Sequence, residues 1–254
     1  MRLHICDNRD AAGEKLAGIM AAAIRDNPRL RLGLACGNTS LACYNELVRL
    51  FHQQGGFSFR HVTTFNTDEF VGLAPSDPRS TRYIMNYHLF RQVDLPAEQT
   101  LVPRGDAADI EAECKAYDWL LQARGGLDLV VLGLGHNGHV GLNEPGSSPR
   151  SRTRVVELTP STLAAVSGGE RFRNLDETPS QAISMGLASI LEAKRVIITA
   201  VGLGKADIVH RFVAGRAGPS VPATLLQSHP DLQVIIDQDA GARLDTDEAR
   251  LPVA

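Results

Sequence analysis

The chain carries four cysteines, Cys6, Cys36, Cys43 and Cys114, with no Cys-x-x-Cys pair among them. Thiols scattered in this way through a long chain speak against a disulfide framework or a zinc–thiolate site and read as reduced core residues. No apolar run approaches the roughly 20 residues that span a bilayer, and Met1-Arg2-Leu3-His4-Ile5-Cys6-Asp7 lacks the apolar region of a secretory leader. A cytoplasmic protein with no membrane partner is the expectation. Neither sign of charge dominates: Lys+Arg total 26 against Asp+Glu 29, a net of −3. That balance argues against a nucleic-acid partner, which needs a basic surface to displace counterions. The expected ligand is small. Internal repeats and low-complexity linkers are also missing.

What is present is a core-forming composition, 43% hydrophobic over 254 residues, enough for one large domain. Short apolar runs at 30–35, 61–65, 127–132, 195–201 and 232–236 read as strands. The segment 41–51 reads as the helix after the first of them, and helical periodicity is clearest at 9–25, 107–123 and 205–214. LDLVVL at 127–132 and RVIITAV at 195–201 are apolar almost throughout rather than alternating, as suits parallel strands covered on both faces. The expected fold is α/β, a three-layer α/β/α sandwich around a Rossmann-like, mostly parallel sheet. Residues 1–254 read as a single domain, with a Gly/Ser/Pro/Arg-rich lid or excursion near 144–175.

Ligands of open α/β sheets bind at the carboxyl ends of the strands, so the chemistry is sought immediately after each run. Cys36-Gly37-Asn38-Thr39-Ser40 follows the first. Glycine permits close backbone approach, and Thr39 and Ser40 bring hydroxyls to a helix N-terminus that attracts anions. Ordinary helix capping explains the same residues. Gly202-Leu203-Gly204-Lys205 offers a second anion loop, unless Lys205 is a solvated helix residue. Asn66-Thr67-Asp68-Glu69-Phe70 places two carboxylates side by side, facing different ways; one at a dry strand end gains proton affinity and can act as a base. A turn-capping aspartate is the alternative. The densest run is Gly133-Leu134-Gly135-His136-Asn137-Gly138-His139-Val140-Gly141-Leu142-Asn143-Glu144. Its histidine near a carboxylate is a proton-relay arrangement. The His136-x-x-His139 spacing lacks a third ligand, so no metal is expected.

Together these segments resemble the glucosamine-6-phosphate deaminase family, which shares its fold with 6-phosphogluconolactonase. The resemblance spans roughly 30–237. VTTFNTDEFVGL at 62–73, GLGHNGHVGLNEPGSS at 133–148 and SRTRVVEL at 151–158 carry it most specifically. It implies a general base at Asp68, a ring-opening histidine at His139, its carboxylate partner at Glu144, and a third relay position at Asn137, where many members carry aspartate. It further implies phosphate binding by Gly37, Asn38, Thr39, Ser40 and Lys205, with Arg171 standing where an Ala-Arg-Phe-Phe-like segment holds the phosphate-binding arginine. Arg154 matches one half of the basic pair that allosteric members use; Val156 replaces the other half.

The implied reaction turns glucosamine-6-phosphate, or its galactosamine epimer, plus water into a ketose 6-phosphate plus ammonia. No metal or organic cofactor is required for it. The alternatives are a 6-phosphogluconolactonase-type hydrolase, which does not need Asp68, and a non-catalytic sugar-phosphate sensor. The sugar epimer and self-association into a homo-oligomer stay open.

Overall fold

The structure, a computed structural model, describes residues 1–169 and 171–245, apart from the side chain of Asn38. The chain opens with β1 (Arg2–Cys6) and α1 (Arg9–Asp26), whose N-cap Asn8 accepts a hydrogen bond from the Ala11 N–H at 2.9 Å. β2 (Arg31–Leu34) leads into α2 (Asn38–Gln53); β3 (Thr63–Asn66) leads into β4 (Asp68–Phe70) and the short α3 (Thr81–Met85). Then come β5 (Thr100–Leu101), α4 (Ile110–Ala123), β6 (Leu129–Gly133), β7 (Arg154–Glu157) and α5 (Pro160–Val166). β8 (Gln181–Ser184), α6 (Leu187–Leu191), β9 (Arg195–Ala200), α7 (Ala206–Val213) and β10 (Leu232–Asp237) complete the series.

Seven strands form one sheet in the order β1-β10-β9-β6-β2-β3-β5, every pairing parallel. Successive side chains of a strand face opposite ways, and here both faces are dry. Val130, Leu132, Val196, Ile198 and Ile236 pack with Tyr117 and Leu121 of α4 and with Ile208 and Phe212 of α7. Leu129, Val131, Ile197 and Ile235 pack on the other side with Leu16 and Met20 of α1 and Tyr44 and Leu47 of α2. This double burial is the reason the runs are apolar throughout, and the expected three-layer sandwich stands. The central β2 needs glycine at position 33, since a Cβ there would lie 2.6 Å from Val130 Cγ2.

Chain order reverses between β2 and β6. From β2 the chain proceeds outward to β3 and β5, then returns to the other flank of β2 with β6, β9 and β10. All strands point the same way, so the loops after β2 and β6 leave the same rim at the place where ligands of such sheets collect.

A second, antiparallel sheet in the order β4-β8-β7 sits over this rim. It was not expected from the sequence, nor were the edge strands β1 and β5. The stretch 144–175 holds β7 and α5. Among the described residues no helix is long and apolar enough to cross a membrane.

At the opposite rim, Asp128 accepts hydrogen bonds from the Arg31 backbone N–H, from Arg31 Nε and from Arg31 Nη2 at 2.8–2.9 Å, and pairs with Lys194 at 2.8 Å. The Arg31 guanidinium holds the Asp128 carboxyl well below the usual carboxylate range. A depressed folded-state pKa stabilises above the unfolded value near 4 and is lost as pH falls below it. Asp128→Ala is therefore expected to cost about 2–3 kcal/mol at neutral pH. Urea melts of both proteins should show the difference shrinking toward pH 3.

Candidate active site

The site begins where β3 ends. Asn66 is followed by Thr67, whose N–H donates to Leu34 O at the end of β2, and the chain then turns into β4. The first residue of β4 is Asp68, 7% exposed, with the Thr67 hydroxyl donating to its carboxylate at 2.7 Å. Burial raises the proton affinity of Asp68; that hydroxyl, Arg171 and His139 oppose the rise. Its neighbour Glu69 faces away. It accepts the backbone N–H groups of Phe70, Thr81 and Arg82 at 2.9–3.2 Å, capping the start of α3. The adjacent carboxylates thus divide, one toward the rim and one into structure.

Asp68 pairs with Ser184 of β8, and the Ser184 hydroxyl accepts the Leu142 N–H at 3.1 Å. This stitches β4 to the glycine-rich loop after β6. A Cβ on Gly141 would sit 3.7 Å from that of Thr67, so the loop passes directly against the residue before Asp68. Within the loop, the His139 ring lies over Gly135, where any Cβ would come within 2.3 Å of its Nε2 edge. Glycine at 135 is what lets the imidazole lie down.

The other edge of the imidazole meets a polar cluster. His139 Nδ1 is 3.2 Å from the Thr162 hydroxyl and 3.7 Å from Glu144 Oε2. Asn137 fixes the loop from both ends of its amide: Oδ1 accepts the His139 N–H at 3.1 Å, and Nδ2 donates to Glu144 Oε2 at 2.6 Å. Glu144 Oε1 accepts the Thr159 N–H at 3.1 Å. Burial pushes the Glu144 carboxyl up, but His139, Thr162, the Thr159 N–H and Asn137 outweigh it and bring it down to about 2. Glu144 is a settled anion.

Three positive or donor features complete the set of candidate residues. The Arg171 guanidinium stacks 4.5 Å from the Phe70 ring centroid, with Nε donating to Arg79 O at 2.7 Å and Nη2 to the Thr81 hydroxyl at 3.1 Å. Its charge is felt by Asp68 and by Cys36, whose thiol burial pushes up to about 12. The second feature is the loop that opens α2. There Gly37 is exposed with open space over its α-carbon, Thr39 is half-buried and Ser40 is buried beside Tyr44. The Asn38 side chain lies outside the described residues. Lys205, after β9, donates from Nζ to Leu134 O at 2.7 Å, tying the β9 loop to the β6 loop. Burial lowers it to about 8.

His136 turns from His139 toward Gly204 and Lys205. Among the described residues no group of three His, Cys, Asp or Glu side chains is gathered as a ligand set. Arg154, the candidate for an activator contact, donates to Asn143 Oδ1 and the Ser147 hydroxyl at 2.9 Å, bracing the loop that carries Glu144. Sequence reasoning missed Thr159, Ser161 and Thr162, whose hydroxyls lie 3.1–3.4 Å from Asn137 Nδ2. The run Thr159-Pro160-Ser161-Thr162 is legible as a helix cap, but its partners lie some 20 residues upstream.

Known proteins resemble the chain over nearly its whole length. A glucosamine-6-phosphate deaminase of Geobacillus sp. (strain WCH70) is 43% identical over 240 residues, covering 94% of each chain. One of Clostridium perfringens (strain 13 / Type A) is 41% identical over 244 residues, 96% of this chain and 100% of that one. The solved structure of a monomeric glucosamine-6-phosphate deaminase superposes with a TM-score of 0.92 at 38% identity, over 95% of this chain and 99% of its own. The 6-phosphogluconolactonase of Leishmania guyanensis has the same fold, with a TM-score of 0.74 at 20% identity over 96% and 98% of the two chains. With residues 7–235 also matching the family pattern as a whole, the chain belongs to the glucosamine-6-phosphate isomerases/6-phosphogluconolactonase family.

Proposed function

We propose that this protein is a glucosamine-6-phosphate deaminase, converting that sugar phosphate and water into a ketose 6-phosphate and ammonia. The observation that carries the reading is the pairing of two unlike carboxylates at one rim. Burial raises Asp68, while donors depress Glu144 to about 2 and the imidazole lies beside it. Environments that push two acids apart in this way divide acid–base roles between them. In the reading, Arg171, Lys205 and the loop from Gly37 to Ser40 hold the phosphate. His139, backed by Glu144 and Asn137, takes the proton of the anomeric hydroxyl and passes it to the ring oxygen, opening the pyranose. Asp68 removes the proton on carbon 2 and returns it to carbon 1; water then adds at carbon 2 and ammonia leaves. The excursion at 144–175 supplies a cover over the relay through α5.

Purified protein supplied with glucosamine-6-phosphate, galactosamine-6-phosphate and 6-phosphogluconolactone in parallel tests the assignment. Ammonia released faster from the first is the expected result. Hydrolysis of the lactone without ammonia from either amino sugar would overturn it.

Lys205 gives the reaction a basic limb. Its ammonium loses the proton as pH rises through about 8, and the phosphate dianion then loses a cation. KM should climb by about 10-fold or more above that pH, with kcat changing less. Lys205→Gln should show the high KM at every pH and no further climb. A wild-type KM that is flat between pH 7 and 9.5 refutes this role.

A further inference from the structure

Nδ1 of His139 is closer to Thr162 than to the carboxylate that the relay is built around. At 3.7 Å the Glu144 contact is an ion-pair distance beyond hydrogen-bond range, whereas Thr162 Oγ1 is at 3.2 Å. Both Glu144 oxygens already have other donors, the Thr159 N–H on one and Asn137 Nδ2 on the other. We propose that Thr162 is a positioning residue of the relay, its hydroxyl accepting from His139 Nδ1–H and donating onward to Glu144.

The donor and acceptor inventory closes under this assignment. A threonine hydroxyl has one hydrogen to give and two lone pairs to fill. The hydrogen is left for Glu144, whose carboxyl the Thr162 side chain helps to hold down. One lone pair takes the imidazole N–H, and the Thr159 hydroxyl, 3.3 Å away, points its hydrogen at the other; Asn137 Nδ2, 3.4 Å from Thr162, has its two hydrogens on the nearer Glu144 and Thr159 oxygens. The arrangement fixes the tautomer: with Nδ1 as donor, Nε2 keeps its lone pair on the ring edge that lies over Gly135. Thr162 is well suited to hold the geometry. It is 2% exposed, in the first turn of α5, which Thr159 caps and Pro160 opens, and its branched Cβ restricts χ1. The charged or titratable groups around the imidazole are Glu144, Asp68 and His136. Asn137 is amide rather than acid, so no second carboxylate is there to hold the ring. The hydroxyl of Thr162 occupies that role from a different element.

This deepens the deaminase reading and rests on it, and the test separates the two. Ring 15N NMR of His139 in the unliganded protein needs no substrate: the Nδ1–H tautomer is expected in wild type and in Thr162→Ser, and a shift toward Nε2–H in Thr162→Val. In turnover, Thr162→Val should lose about 10- to 100-fold in kcat with KM nearly unchanged, and Thr162→Ser should recover to within about threefold of wild type. A Thr162→Val protein that keeps either the wild-type tautomer or the wild-type turnover overturns the assignment, as does a serine variant as impaired as valine. Absence of ammonia release from wild type, with the tautomer changes intact, would instead sink the deaminase reading alone.

Discussion

Asp68→Asn should lower kcat for ammonia release by about 10²- to 10⁴-fold, the span a positioned general base contributes, while KM moves little. The change keeps the shape of the side chain and an acceptor for the Thr67 hydroxyl at 2.7 Å, so what is lost is the capacity to take a proton. Stability separates this from a structural role. Burial raises the Asp68 carboxyl, so the folded state binds its proton more tightly than the unfolded chain. Such a group costs stability as pH rises past the unfolded value near 4. The neutral amide escapes that cost, and at neutral pH the variant should melt at or slightly above the wild-type temperature. Loss of activity without loss of stability is the signature of a site residue kept at the expense of the fold. The acidic limb of kcat/KM, which the base sets by needing to be ionised, should vanish with it. A variant that still deaminates within about threefold of wild type would remove Asp68 from the chemistry. Lactone hydrolysis needs no carbon-bound proton removed, so a lactonase would lose little.

Much of this site could be read in the sequence because its residues follow long, doubly buried strands. β6 and β9 announce themselves as apolar runs, and the loops after them begin with glycine where the backbone must approach other groups. The antiparallel sheet left no comparable signal. β4 is three residues, Asp-Glu-Phe, and reads as a turn; it is a strand because Asp68, Glu69 and Phe70 find Ser184, Ile183 and Ala182 in register. β1 and β5 sit at the sheet edges, β5 with two residues, too short for any period to show. Thr162 was invisible for a different reason. A capping threonine looks the same whether its hydroxyl ends in water or on an imidazole, and the choice is made by the packing of α5 against a loop 23 positions earlier. Glu69 shows the converse. Its proximity to Asp68 in sequence suggested two faces, and the second is filled by the N-terminus of α3.

The anion at 144 should matter as much as the base at 68. Glu144→Gln is expected to reduce kcat by about 10²- to 10⁴-fold, because the imidazolium that forms as the ring oxygen is served loses the negative charge 3.7 Å from Nδ1. The amide also misfits its surroundings. If its oxygen accepts the Thr159 N–H, its NH₂ meets Asn137 Nδ2, and two donors at the present 2.6 Å separation repel. Relief by turning the Asn137 amide withdraws Oδ1 from the His139 N–H, so the loop loosens where the imidazole is anchored. Stability should follow the carboxylate. The folded-state value is about 2, below the unfolded value near 4.3, so the stabilisation is complete above pH ~5 and drains away as pH falls through the folded value. Denaturant melts at pH 7 should place Glu144→Gln about 2–3 kcal/mol below wild type, narrowing steadily from pH 4 downward. A variant as stable as wild type at pH 7 yet inactive would assign Glu144 to chemistry alone; one that is less stable but fully active would assign it to the fold alone and detach it from the relay.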